Sequence, residues 1–149
     1  MAITAFAPTP NYARFGTVVY PTKGVTSVVV TTATTPVQLT TAQLLQGLLP
    51  VDCQDAGSIT TPTAVAIVAA INGCQAGVSF DLDVVNYGDT TLTLALGTGV
   101  TKTTIAGVSA VLTMVTLVSK RFTFVVTNAT PGSEAVTVWA FGSTAAAVA

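Results

Sequence analysis

Asp81 and Asp83 are the two residues best spaced for chemistry in this sequence. They sit two apart in an alternating stretch, so on a strand both carboxylates leave one face, about 7 Å apart. Such a pair could act as acid and base in a hydrolysis, or hold Ca²⁺ with Asp89 and loop carbonyls. Neither reading gathers enough partners. Ca²⁺ takes about 6–8 oxygen ligands, and no loop motif supplies them. The chain has no histidine, which removes the commonest general base and metal ligand at neutral pH. "GVSAV" (Gly107–Val111) lacks the second glycine of a nucleophile elbow. "GTG" (Gly97–Gly99) has neither the third glycine nor the lysine of a phosphate loop, and reads as a hairpin turn. The two aspartates are therefore expected on a solvated strand face, or paired with Lys120 and Arg121 of an adjacent strand or subunit. Asp52 and Asp55 are expected in a loop between helices, serving solubility. No catalytic residue, metal site or cofactor is expected, and the chain is read as non-enzymatic.

The remaining chemical candidates are sparse. The basic residues are Arg14, Lys23, Lys102, Lys120 and Arg121. One dipeptide cannot make the several phosphate contacts of nucleic-acid binding, and a net charge of −1 steers the chain to neither nucleic acid nor acidic membrane. A membrane span needs about 20 apolar residues, and the best run, Thr63–Ile71, has about half that. The paired aromatic girdles of a membrane barrel are absent too. No secretory leader is readable in "MAITAFAPTPNYARFG". Asn128 opens a glycosylation sequon, but Pro131 follows it directly, so no glycan is expected. Cys53 and Cys74 flank a helical segment of about 11 residues, about 16 Å long. A disulfide needs Cα atoms within about 7 Å, so two free buried thiols are expected, with a bridge as the alternative.

These residues must be positioned mainly by strands. Strands are expected at Thr17–Tyr20, Val25–Thr32 and Val37–Leu39. A first helix is predicted over 41–49: Thr40-x-x-Gln43 has capping-box spacing, Leu44, Leu45, Leu48 and Leu49 follow at helical spacing, and Pro50 stops it. A second is predicted over 62–72, with Thr61 as N-cap, Pro62 in the first turn and Gly73 as the stop. That helix has no polar face, so it should be buried on most sides. From Val78 the period is two, with Val78, Phe80, Leu82 and Val84 on one side. "NYGD" (Asn86–Asp89) is turn chemistry, and Leu92, Leu94 and Leu96 form the next apolar face. Further runs lie near Val100–Ile105, Ala110–Val118, Arg121–Thr127 and Glu134–Phe141. Eight or nine short strands at about ten-residue spacing predict an all-β sandwich. With one helical excursion, a single jelly roll of about eight strands fits best. The organisation expected is a docking arm at 1–16, a β-sandwich domain at 17–142 and a tail at 143–149.

Charge scarcity then becomes informative. Charged residues are 7% of the chain, against about 25% in an ordinary soluble domain. The run "TSVVVTTATTPVQLTT" (Thr26–Thr41) has none. Large exposed apolar patches mark interaction sites, and obligate interfaces resemble a core cut in half. Part of this surface is therefore expected to be subunit interface. The residues read into it are Phe6, Tyr12 and Phe15 of the arm, Val28 and Val30, Lys120 and Arg121, and Trp139. Trp139 reads equally as a core aromatic.

Five segments, "TTAQLLQGLL", "TPTAVAIVAAI", "GVSFDLDVVN", "LTLALGTGVT" and "SKRFTFVVTNATPGSEAVTVWAFG", resemble in that order virion structural proteins of tailed phages and of large DNA viruses infecting algae and protists. The resemblance covers about residues 38–142 and carries no catalytic motif. It departs at "VDCQDAG" (Val51–Gly57), where such proteins often have an Arg-Asp turn. It implies a virion location as a minor capsid or vertex (penton) subunit. The partners implied are copies of itself, as trimer or pentamer, and other capsid proteins. The alternative is a surface decoration or fibre module binding a host glycan or receptor, for which Tyr87 is the exposed aromatic to test.

Overall fold

The computed structural model describes residues 25–105, 108–109, 111–141 and 144–145. The expected docking arm, with Phe6, Tyr12 and Phe15, lies outside the described residues, as do the expected strand at 17–20 and most of the tail.

The first half of the described chain winds. β1 (Val28–Val30), β3 (Leu48–Cys53) and β5 (Ser79–Asn86) lie side by side in parallel in one sheet. β2 (Val37–Gln38), β4 (Gly57–Thr60) and β6 (Leu92–Ala95) do the same in a second sheet. Each strand thus crosses to the opposite sheet before the next is laid beside it. The register is regular: Val28 lies beside Val51 and Val37 beside Ile59, then Leu48 beside Asp83 and Gly57 beside Leu92.

The second half closes the structure with antiparallel strands. β7 (Val100–Lys102) goes to the far edge of the first sheet, parallel to β12 (Ala135–Ala140), and β8 (Thr104–Ile105) pairs with β9 (Val108–Ser109). β10 (Thr113–Met114) joins β6, while β11 (Val118–Asn128) lies between β5 and β12 (Ala135–Ala140). β13 (Thr144–Ala145) pairs with the start of β11. The result is a seven-stranded sheet, β1-β3-β5-β11-β12-β7 with β13, and a four-stranded sheet, β10-β6-β4-β2.

The chain is mostly β and sandwich-like, as expected, but its connections differ from the predicted jelly roll. Jelly rolls are antiparallel Greek-key structures, whereas five of the ten pairings among the described residues are parallel. Parallel neighbours need long crossovers, and here the opposite sheet supplies them. Both sheets turn one face inward onto a single core that includes Val30, Leu49, Val51, Ile59, Leu82, Leu94, Phe122, Phe124 and Val138. Phe80 and Phe124 stack with ring centroids 5.1 Å apart.

Both predicted helices are present, each shorter than expected. The capping box forms: the Gln43 amide donates to Thr40 Oγ1 (3.2 Å) and the Thr40 amide to Gln43 Oε1 (2.9 Å). Yet α1 spans only Thr41–Leu44. Gly47 turns the chain at φ +88° and Leu48–Cys53 is strand β3, not helix. Leu49, Val51 and Cys53 alternate into the core there, a burial the short helical repeat could not match. Pro50 is tolerated in this interior strand for a local reason. Gln54 N–H donates to Val30 O at 2.9 Å, so alternate residues of β3 face β1 and Pro50 falls opposite Thr26. Thr26 O accepts instead from Gln46 Nε2 at 3.0 Å.

α2 spans Ala64–Ala70, and its N-cap is Thr63, whose hydroxyl accepts from the Ala66 amide. Thr61, expected to cap, is buried and its hydroxyl accepts from Gly97 N–H at 2.9 Å. Only Ala64 and Ile67 of this helix are buried; Val65 is 55% exposed. An all-apolar sequence does not oblige burial all round when one face meets the core. Gly97–Gly99 is not a hairpin either, since β6 and β7 lie in different sheets. A Cβ at Gly97 would stand 2.5 Å from Thr61 O, so close packing of two crossovers explains that glycine. Asp52 lies within β3 rather than in a loop between helices. Both cysteines are free, Cys53 buried at the end of β3 and Cys74 partly so.

Candidate assembly face

The two sheets have different outer faces. On the four-stranded sheet, Gln38, Ser58, Thr60, Thr93, Ala95 and Thr113 point outward, small and mostly polar. On the seven-stranded sheet the outward positions form ordered rows. One row runs Leu48, Asp83, Arg121, Phe141; the next runs Asp81, Thr123, Trp139. Val29 and Asp52 stand side by side nearer the β1 edge. None of these outward residues is buried, while Leu82 and Val84 of β5 and Phe122 and Phe124 of β11, which point inward, are buried. Val29 is 47%, Leu48 41% and Phe141 51% exposed.

Ionised groups on this face have partners within the chain. Arg121 donates to Asp83 through Nε to Oδ1 (2.8 Å) and through a terminal nitrogen to Oδ2 (2.7 Å). These hydrogen bonds hold the Asp83 carboxyl below its ordinary pKa of 3.8, against a smaller opposing effect of burial; the same bonds raise Arg121. Thr123 Oγ1 donates to Asp81 at 2.5 Å, and Gln54 Nε2 to Asp52 at 2.9 Å. Asp81 and Asp83 do share one face, and the adjacent strand takes both. Among the described residues no group of three or more His, Cys, Asp or Glu side chains could hold a metal ion.

The structure divides the residues that the sequence assigns to an interface. Val28 and Val30 point inward, at 5% and 0% exposure, and Val29 between them faces out. Three consecutive valines carry no phase, so the sequence could not say which one is outside. Leu48 escapes the sequence reading because its spacing from Leu44 and Leu45 also fits a helix. Arg121 and Trp139 lie on the outer face in neighbouring rows. Lys120 points the other way and is buried; Nζ donates to Val111 O (2.7 Å) and Thr113 O (3.1 Å). Burial lowers its pKa below 10.5.

Asn86, which the sequence suggested only as turn chemistry, is buried nearby on the inward side. Its Nδ2 donates to Thr90 O (2.8 Å) and Val115 O (3.1 Å), and its Oδ1 accepts from Gly88 N–H (3.3 Å). Thr116 Oγ1 donates to Gly88 O. Lys120 and Asn86 thus fasten the 111–116 segment across the end of the core, leaving Val115 and Leu117 exposed.

Searches against protein-family models, curated proteins and solved structures find no match for this chain.

Proposed function

We propose that this chain is a structural subunit that assembles with copies of itself through the outer face of its seven-stranded sheet. The observation that carries the reading is that face: Val29, Leu48 and Phe141 are exposed and Trp139 half-buried in register, with Asp52, Asp81, Asp83 and Arg121 already hydrogen-bonded within the chain. A face whose charges are internally satisfied offers little to select a strongly charged partner, whereas its exposed Val29, Leu48 and Phe141 suit a second copy of the same surface.

Size sets the strength of that contact. Six strands at about 4.8 Å spacing and about 17 Å of strand length present roughly 500 Å². A stable interface buries about 800 Å² per partner. One such face supports weak pairing that becomes durable when several contacts act together, as in a closed shell. The resemblance of five segments to virion structural proteins supplies the setting: a minor capsid or vertex subunit of a viral particle.

Light scattering over a concentration series, with Trp139→Glu as the comparison, tests the assembly reading. Wild type should associate as concentration rises, and Trp139→Glu should stay monomeric with an unchanged melting temperature. A wild type that remains monomeric throughout, or a variant that associates equally well, overturns it. The alternative, a receptor- or glycan-binding module, draws on Tyr87, which is 46% exposed just after β5. Under that reading Tyr87→Ala abolishes capture on a glycan array and Trp139→Glu does not.

A further inference from the structure

The link between α2 and β5 is tied down at both ends and free in the middle. At one end Ala64 and Ile67 seat the helix in the core. At the other, Gly77 N–H donates to Val126 O and Val126 N–H to Val78 O, both at 2.8 Å. Between them "INGC" (Ile71–Cys74) makes one tight turn, closed by Cys74 N–H donating to Ile71 O at 3.1 Å. Its two central residues, Asn72 and Gly73, are exposed. Gly73 stops the helix at a φ of +68°, a conformation that favours glycine. The pair of residues that ends α2 is therefore an asparagine followed by a glycine.

We infer that Asn72 is a site of covalent modification, where the side-chain amide is lost through a cyclic imide formed with the next residue. The Gly73 backbone nitrogen attacks Asn72 Cγ and gives up its proton to solvent base, while the side-chain amide nitrogen leaves as ammonia. One C–N bond forms and one breaks, with no change of oxidation state. Water then opens the five-membered ring. Attack at Cγ leaves an aspartate; attack at the backbone carbonyl leaves isoaspartate, with the chain running through Cγ and one carbon longer. Water is the only co-reactant.

Three observations carry it. First, the attacking nitrogen is unshielded. Gly73 has no side chain, and even a Cβ built there would meet nothing within 4 Å. Second, neither reacting group is held. Among the described residues no hydrogen bond engages the Asn72 amide or the Gly73 N–H. Attack requires the peptide between them to rotate until its nitrogen faces Cγ. Within this turn only the Cys74–Ile71 bond opposes that rotation, and glycine accepts backbone angles on both sides of the map.

Third, the other described asparagines are protected. Asn86 is buried, with its amide nitrogen donating to Thr90 O (2.8 Å) and Val115 O (3.1 Å), and Tyr87 follows it. Asn128 Oδ1 accepts from Thr130 N–H at 2.9 Å, and Ala129 follows it. The product should remain folded, because the anchors on either side of the turn do not pass through Asn72. Its signature is electrostatic: one added negative charge takes the formal net charge from −1 to −2.

The test incubates the full-length protein in mildly alkaline buffer, folded and in urea, and follows it by isoelectric focusing and peptide mapping. The urea-unfolded chain serves as the clock. The folded protein should gain one acidic charge at a rate within about 10-fold of the unfolded chain, since an exposed turn opens at almost no cost. The change should map to Asn72, with isoaspartate among the products. Asn72→Gln, which would need a larger ring, should stay unmodified over the same period. Asn72→Asp should focus with the acidic form and melt within about 2 °C of wild type. A folded protein that gains no acidic form while the unfolded chain does overturns the proposal. So does an acidic form that maps to Asn86 or Asn128, and a lower-melting Asn72→Asp removes the claim that the turn tolerates its product.

Discussion

Replacing Asn86 by leucine probes how the end of the sandwich is held together. The two side chains have similar volume, so packing changes little, but every hydrogen bond of the amide is lost. Its bonds with Gly88 N–H and Met114 O lie in buried surroundings, while those to Thr90 O and Val115 O are partly reached by solvent. Leaving a buried polar group unsatisfied costs about 1–3 kcal/mol, and the two solvated carbonyls recover water at little cost. Two stranded groups therefore cost about 2–6 kcal/mol, offset by about 1–2 kcal/mol for the leucine burial gained. The net expectation is a loss of about 1–4 kcal/mol, roughly 3–15 °C in Tm for a chain of this size.

Urea unfolding of wild type and Asn86→Leu, at equal slope, measures the difference. Hydrogen exchange should also show the 113–116 amides opening first, because they lose their anchor. A loss under about 0.5 kcal/mol, or destabilisation spread evenly over the chain, would refute the view that Asn86 fastens this segment.

Two further outcomes follow from the same region. Gly88→Ala should prevent folding or cost more than about 4 kcal/mol, because the new Cβ would stand 2.1 Å from Cys53 N and 2.4 Å from Cys53 O, backbone atoms of an interior strand. Thermal melting within about 1 kcal/mol of wild type would contradict it. Lys120 should give stability an alkaline rise. Burial holds its folded pKa below 10.5, so the unfolded chain keeps the proton to higher pH, and stability increases as pH climbs through the folded value towards 10.5. The urea midpoint of wild type relative to Lys120→Met should rise over that window; a flat or falling difference would show that the burial penalty is absent.

Strand content was legible because alternation is local. Leu82 and Val84 facing in, with Asp81 and Asp83 facing out, follows from period two alone and holds in β5. The Asp83–Arg121 pair was legible only as a class of contact, since the register of β5 against β11 decides which cation meets which carboxylate. The adjacent lysine and arginine had to point to opposite faces, and nothing local said which was inside. Leu44–Leu49 misled for the same reason: four leucines at helical spacing also fit a turn followed by a strand, and Gly47 marked the boundary. The parallel winding was not legible at all, because a strand of a given periodicity looks the same beside a parallel or an antiparallel neighbour.

The sequence by itself determined a β-rich chain of very low charge, its inward and outward residues in the clearly alternating strands, and the shortage of groups for acid–base chemistry. Only the tertiary structure decided how strands alternate between sheets, that one outer face sets exposed Val29, Leu48 and Phe141 among internally paired charges while the other is mostly small and polar, and that Lys120 is spent inside while Arg121 stays on the surface. The division is physical. Composition and periodicity act over a few neighbouring residues, whereas pairing, register and the exposure of a whole face arise from contacts between segments tens of residues apart.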